Sequence, residues 1–426
     1  MKDSYIKIKS MPKYEVIPLT ELLYKFCQFS SVVLIIYYCW YVEAFGNQPI
    51  IVYGSFLLMS SCLLLIHLLT NEIRISEIPY GIWNFLPVIA YSFITGLFVS
   101  YNYGTLLHAI RQYLIYFIII YTFCIVSNHT GSYEWILITI NIAIFICCVH
   151  LTLFGHHYSA NRIVLSSNSN PNILGSLLNL GLFSIVYRTK FKAMPLLIAI
   201  PEVCFVFYNV IMTGSRKSFI VSIAILIIWL LAMASQVFCT GSIERRTLFI
   251  LLLMCAFFAF YYFYGTFIKN TEVIARMGTM GNEESNSARI EMYRAAYRIF
   301  IKKPLFGGGL DQFRYWSGRG GYSHSTYAEA IADLGLIGSI LYFIPFIFTI
   351  FKTIILVINN RYFRHILILG LCLVEFFLGT VQIWFFEMVH IFTWGIIFII
   401  IHYDNGTDKS IETNAGFIKE CRYVKH

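Results

Sequence analysis

Apolar residues fall along this chain in runs of about twenty, separated by short polar breaks. A run of that length with few charges is long enough to cross a hydrocarbon core as a helix. Twelve such runs are predicted, at 24–42, 50–70, 82–100, 105–127, 133–154, 171–188, 194–212, 217–238, 246–265, 326–351, 363–383 and 385–402. The last two are the least separated, with only a weak break near Gly379 and Gln382. Gly, Pro and Asn punctuate the connections, as at Asn47-Gln48-Pro49 and Asn102-Tyr103-Gly104. The pattern therefore predicts an all-α polytopic membrane protein of about twelve transmembrane helices. Its one long polar stretch, 266–325, lies between the ninth and tenth helices.

Charge distribution orients these elements, because short cytoplasmic loops carry an excess of Lys and Arg. With the N-terminus inside, the inner short loops hold Arg74, Arg188, Lys190, Lys192, Arg245, Arg246, Lys352, Arg361 and Arg364. The outer short loops hold only Arg162, Arg216 and Lys217. Lys2, Lys7, Lys9 and Lys13 in the N-terminal tail, and Lys409, Lys419, Arg422 and Lys425 in the C-terminal tail, agree with both tails being cytoplasmic. The expected organisation is a cytoplasmic tail 1–23, helices one to nine over 24–265, an extracytoplasmic loop 266–325, helices ten to twelve over 326–402, and a cytoplasmic tail 403–426. The first apolar run is too long, and its polar lead too extended, for a cleavable signal peptide.

Composition agrees. Of 426 residues 58% are hydrophobic and 12% charged, about half the charge of an ordinary soluble domain. The net charge of +9 sets topology and meets anionic headgroups, so it does not imply nucleic-acid binding. The eleven Cys are scattered, most of them in apolar runs, without metal-type pairing, which predicts small buried hydrophobes.

The loop 266–325 breaks the charge bias. It holds Lys269, Arg276, Arg289, Arg294, Arg298, Lys302, Lys303, Arg314 and Arg319, and only Glu272, Glu283, Glu284 and Glu291 precede Asp311. A positive cavity on the outer face suggests an anionic ligand. Within the loop, 287–303 reads as an amphipathic helix with Ile290, Tyr293, Tyr297, Phe300 and Ile301 on the apolar face. Arg294 and Arg298 serve equally well as snorkelling residues of an interfacial helix. Arg289 stands at the helix start, where the dipole disfavours a cation, so a ligand or carboxylate partner is expected. Gly307-Gly308-Gly309 lacks the context of a nucleotide-binding loop and reads as a tight chain reversal.

Four further features lie near the outer helix mouths. His324 precedes the tenth helix, as a solvated interface residue or as a general base. Glu329 and Asp333 follow at a depth where charges are costly and often functional. Arg216, in Thr213-Gly214-Ser215-Arg216-Lys217, fits either an interface anchor or a diphosphate ligand. In Ser169-Asn170-Pro171-Asn172, Asn170 is expected to cap a helix. Arg111, inside the fourth helix, has Glu375, Glu387 or lipid phosphate as candidate partners.

The order of these elements resembles the O-antigen ligase and O-antigen polymerase superfamily of bacterial membrane glycan transferases. The resemblance rests on Thr213-Gly214-Ser215-Arg216, Ser287-Ala288-Arg289, the segment Lys303 to Phe313, His324-Ser325-Thr326-Tyr327 and Gly335-Leu336-Ile337-Gly338, over roughly 160–345. It implies a GT-C-like fold and metal-independent, inverting glycosyl transfer, without a cofactor, at the outer face of the cytoplasmic membrane. The implied donor is a glycan on undecaprenyl pyrophosphate, and the acceptor is a second glycan. By motif match, His324 is the implied base and Arg216 and Arg289 grip the pyrophosphate. Asn172 matches a Pro-Asn element, while Arg294, Arg298, Arg319 and Tyr327 are further substrate-binding candidates. Ser325 departs from the family, where many members carry Asn. Flippase and chain-length regulator proteins are the implied partners in the bilayer, and nucleic acid is not.

Three functions compete. A polymerase joins lipid-linked repeat units, as in O-antigen or capsule synthesis, and a ligase moves a finished glycan to lipid A-core or another acceptor. The shared motifs do not separate them, although the fairly short loop favours the polymerase. A transporter of lipid-linked glycans would show repeats and broken midplane helices in both halves. The chain shows no repeat, and its polar residues gather at one face.

Overall fold

A computed structural model describes residues 19–70, 79–83, 85–159, 162–167, 169–189, 194–278, 283–360, 363–384 and 387–403. Both charged tails, and Arg74, Lys190, Lys192 and Arg361 of the inner loops, lie outside these residues.

Almost everything described is helix, as a backbone surrounded by lipid must satisfy its own hydrogen bonds. In chain order the helices are α1 (Leu19–Phe45), α2 (Pro49–Thr70), α3 (Tyr80–Val99), α4 (Tyr103–Thr130), α5 (Glu134–Phe154), α6 (Pro171–Arg188), α7 (Leu196–Met212), α8 (Arg216–Thr240) and α9 (Ile243–Thr266). There follow α10 (Glu272–Gly278), α11 (Glu283–Lys302), α12 (Phe313–Trp316), α13 (Thr326–Asn360), α14 (Phe363–Leu378) and α15 (Met388–Tyr403). Polar side chains begin several of them. Asn102, Asn170, Ser215 and Ser242 accept hydrogen bonds from the first free amides of α4, α6, α8 and α9.

Among the described residues, eight helices are long and apolar enough to cross a membrane: α1 to α5, α8, α9 and α13. Helices α7 and α15 are apolar but shorter. Helices α6 and α14 form where spans are predicted but belong to neither group. The chain is thus an all-α polytopic membrane protein with eight clear spans against the twelve expected. Helix α6 shows why hydropathy undercounts. Fifteen of its eighteen residues are buried, so protein surrounds it and it needs no lipid-facing surface. Its polar groups bond inward: Asn179 donates to the Ser218 carbonyl at 3.0 Å and accepts from Ser222 Oγ at 2.6 Å. Gly175 and Gly181 let Ser218 and Ile144 approach closely. At the other extreme, α9 buries no residue.

A two-stranded hairpin, β1 (His156–Ser159) and β2 (Arg162–Val164), interrupts the helices before α6. The alternation of apolar runs does not predict it.

The long segment 266–325 differs from expectation in which face of α11 is buried. Ala295, Ala296 and Ile299 pack against Phe313 and Ala332, whereas Ile290, Tyr297 and Ile301 are 48%, 60% and 59% exposed. Small side chains on α11 and α13 let the helices approach, and the larger ones turn outward with the exposed Arg294 and Arg298. Only a partly exposed Tyr293 reaches back, donating to the Thr380 carbonyl at 3.1 Å.

The glycine triplet rivets this segment into α13. Gly308 and Gly309 amides donate to the Ala332 and Asp333 carbonyls, both at 2.8 Å, and Leu336 N donates to the Pro304 carbonyl at 2.8 Å. The helix breaks there at Gly335, whose φ of 64° and ψ of −166° suit glycine. A Cβ on Gly307 would strike the backbone of α13, and one on Gly335 the carbonyl of Leu305. Gln312 continues the fastening, donating from Nε2 to the Asn102 carbonyl and Thr105 Oγ1 while Asn102 N donates to its Oε1. Lys303 Nζ donates to the Val99 carbonyl and lies 3.6 Å from the centroid of the Trp316 ring. Desolvation there holds its ammonium pKa below the ordinary lysine value. The triplet is a chain reversal with a structural duty.

Candidate active site

Six segments meet around one cavity of about 620 Å³, within the size range of small-molecule sites. Asn170 and Asn172 come from the start of α6, Arg216 and Lys217 from the start of α8, and Arg276 from α10. Arg289 comes from α11, Tyr322 and His324 from the turn before α13, and Gln382 and Glu387 from the connection between α14 and α15. Ile220, Phe377 and Leu378 form an apolar flank.

Each wall has a local cause. At the start of α6, Asn170 Oδ1 accepts from Asn172 N at 2.9 Å, the capping role expected of it. That frees Asn172 to face α8, where its Oδ1 accepts from Ser215 Oγ at 3.0 Å. Glu43, buried near the end of α1 just after a π-helical turn over Tyr37–Tyr41, accepts from Ser169 Oγ and fixes this corner from behind. The turn into α8 needs Gly214, with φ of 62°, and the buried Arg162 on β2 clamps it by donating from Nε to the Thr213 carbonyl at 3.0 Å.

Arg216 and Arg276 cross-brace each other through backbone. Arg216 Nη1 donates to the Arg276 carbonyl at 3.0 Å, and Arg276 Nη1 donates to the Gly214 carbonyl at 2.6 Å. Two like charges are thereby held side by side, an arrangement favourable once an anion sits between them. Arg289 is exposed to the cavity and makes no salt bridge with any described carboxylate, so the partner that its place at the helix start calls for is not supplied by the described protein.

His324 has φ of 59°, a left-handed conformation uncommon outside glycine. Strain of this kind persists only where the surroundings over-determine it, and it clusters at functional sites. Here the flanks are pinned. Ser323 N donates to Glu329 Oε2 at 2.7 Å, and Ser323 Oγ donates to the Ser325 carbonyl at 2.9 Å. Thr326 N donates to the carbonyls of Gly379 and Gln382, and Thr326 Oγ1 donates to Gln382 O at 2.7 Å. The result aims the imidazole into the cavity, edge-on to Tyr322. Partial burial, then Arg289 and Lys217, hold the His324 pKa below the usual histidine value, so the ring is neutral at physiological pH. Ser325 Oγ lies 3.4 Å from Ala328 N, at the start of α13.

Among the described residues the cavity wall thus carries four cationic side chains, Arg216, Lys217, Arg276 and Arg289, against one carboxylate, Glu387. Desolvation opposes charge on that carboxylate, but His390, Lys217 and Gln382 outweigh it and keep Glu387 below its usual value. Among the described residues no cluster of three His, Cys, Asp or Glu is arranged to hold a metal ion.

Of the residues singled out from sequence, Asn172, Arg216, Arg289 and His324 come together here. Four others lie elsewhere. Arg294 and Arg298 are on the outward face of α11, and Arg319 pairs with Glu291 at 2.6 Å. Tyr327 donates to the Phe376 carbonyl and stacks on Phe343. Arg111 reaches neither Glu375 nor Glu387; its Nη2 meets His108 Nδ1 at 2.8 Å beside Tyr53. Glu375 and Glu387 instead share His390. Sequence reasoning passed over Lys217, Arg276, Gln382 and Glu387 as site residues. For Lys217, Arg276 and Glu387 the only signal was charge next to a helix end, which many residues of this chain share, and Gln382 showed only as a weak break in an apolar run.

No curated protein matches the chain. Residues 201–343, a third of the chain and the part that carries Arg216, Lys217, Arg276, Arg289 and His324, match the O-antigen ligase family model, which supports the resemblance to the O-antigen ligase and polymerase superfamily.

Proposed function

We propose that the chain is a metal-independent, inverting glycosyltransferase that polymerises undecaprenyl-pyrophosphate-linked repeat units at the outer face of the cytoplasmic membrane. The observation that carries this reading is the meeting of His324 with Arg216, Arg276 and Arg289 around one cavity. His324 takes the proton of an acceptor hydroxyl as that oxygen attacks the anomeric carbon of the donor sugar. The bond from that carbon to the diphosphate oxygen breaks, and its electron pair leaves with the diphosphate. Charge grows on the departing group, and guanidinium groups already in place stabilise it without reorganisation. The neutral His324 is ready to accept a proton.

This reading takes the twelve spans expected from the hydropathy, with both tails and the Lys- and Arg-rich short loops inside, a topology in which the cavity opens outside. A reporter fused near Gly308 and read as cytoplasmic would overturn that topology. A transfer of finished glycan to a separate acceptor uses the same groups, so polymerase and ligase part at the product. In a deletion strain, glycans one repeat unit long mark a polymerase. Loss of all attached polymer, with lipid-linked polymer accumulating, marks a ligase. If His324→Ala and Arg289→Ala proteins at normal levels still build long chains, the enzyme reading fails.

A further inference from the structure

Among the described residues Glu387 is the one carboxylate lining this cavity of cations, and its side chain is 24% exposed. A buried network holds it. Gln382 Nε2 donates to Glu387 Oε2 at 2.7 Å, and His390 Nε2 stands 3.2 Å from the same oxygen. His390 is fixed in turn by Glu375, whose Oε2 lies 2.6 Å from His390 Nδ1. Both contacts converge on Oε2, and Oε1 takes no hydrogen bond from the described residues. Oε2 is anchored, on a carboxylate that lines the cavity.

The position of this oxygen is tied to the base. The Gln382 that orients Glu387 also accepts, through its carbonyl, from both the amide and the hydroxyl of Thr326, two residues beyond His324. A carboxylate is repelled by diphosphate, which belongs with Arg216, Arg276 and Arg289. It accepts strongly from hydroxyl groups. The cavity can therefore take phosphate at its guanidinium groups and a sugar hydroxyl at Glu387, and His324 lines the same space.

We propose that Glu387 is the acceptor-binding residue of this cavity, its Oε1 accepting a hydrogen bond from a hydroxyl of the acceptor sugar beside the one that His324 deprotonates. The ligand class is a neutral, hydroxyl-rich sugar ring, and the proposal rests on the glycosyl-transfer reading above. His390 and Glu375 are positioning residues that act through Glu387.

The test uses the purified full chain in lipid nanodiscs. The donor is the lipid-linked repeat unit extracted from a deletion strain, and the acceptor is the soluble repeat oligosaccharide released from it by mild acid. Glu387→Gln is expected to raise KM for the soluble acceptor about 10- to 100-fold, the loss of one hydrogen bond to a charged group, with KM for the donor unchanged. Thermal stabilisation by inorganic diphosphate should persist in Glu387→Gln and be weakened in Arg289→Ala. If Glu387→Gln does not fold, Glu387→Asp, which keeps the charge but retracts it, should show the same acceptor-only increase. An unchanged acceptor KM, or donor and acceptor KM rising together, overturns the proposal. Full transfer activity in His324→Asn overturns the glycosyl-transfer reading instead, whatever Glu387 does.

Discussion

Ionisable residues gather in two places around the start of α13, and the two groups behave in opposite ways. On one side Arg216, Arg276 and Arg289 line the cavity with His324. On the other, Asp311, Glu329 and Asp333 are 5%, 1% and 1% exposed. There Arg314 pairs with Asp311, Glu329 accepts from Ser323 N, and the Asp333 carbonyl accepts from Gly309 N. Glu329 fastens the loop to the start of α13 through its carboxylate, and Asp333 does so through its backbone carbonyl. The cations gather where the described protein supplies one carboxylate. A charge at membrane depth is costly in both places, but it signals a site only where it opens on a cavity. The two sides are linked, because Glu329 holds the amide next to His324 and so helps impose its left-handed backbone.

The contrast is broken most directly at His324. Replacing it with Asn, which tolerates the left-handed conformation, should lower transfer by at least about 100-fold while leaving thermal stability unchanged. Glycan product formation and a melting curve on the same preparation check both halves. Arg289→Ala should follow, with a loss of about 100-fold in kcat and little change in folded yield, by analogy with removal of one oxyanion donor. On the fastening side the signs reverse. Gly335→Ala forces a side chain into a conformation reserved for glycine and into the Leu305 carbonyl, and should destabilise by about 1–3 kcal/mol. The residual activity per folded molecule should stay near wild type, and a large drop would show that the kink also shapes the cavity.

The smallest effect is on pH dependence. His324 must be neutral to accept a proton, so activity falls as pH drops through its pKa. Because burial and neighbouring cations depress that pKa, the acid limb should lie below pH 6.5, the ordinary histidine value. Arg289→Ala removes one of those cations, so the limb of its remaining activity should move upward. A pH–rate profile of kcat/KM for the two proteins checks the sign, and a limb that moves downward would refute the electrostatic account.

How much was legible in advance depends on how local each signal is. The capping of α6 by Asn170 and the chain reversal at Gly307 to Gly309 are local consequences of side-chain and backbone chemistry. Helix content is equally local, since runs of apolar residues must bury their own backbone hydrogen bonds in lipid. The buried face of α11 was not legible, because periodicity reports that a helix is two-sided but not which side meets protein and which meets lipid. In a membrane both solvents are apolar, so Ile290, Tyr297 and Ile301 could face outward and leave the interior to Ala295 and Ala296. Gln382 and Glu387 were hidden for a different reason. They lie more than fifty residues beyond His324, and nothing along the chain brings them back to it.

The sequence by itself therefore determined a helical membrane protein, its polar segment between 266 and 325, and the residue types able to handle a proton and a diphosphate. Tertiary structure decided which of nine loop cations share a cavity, that Glu387 stands among them, and that His324 is held in a strained backbone aimed at the same space. Local propensity acts over a few residues and leaves a strong trace in the chain. The meeting of six segments depends on packing across the whole bundle, where small residues such as Gly175, Gly181 and Ala296 set the separations.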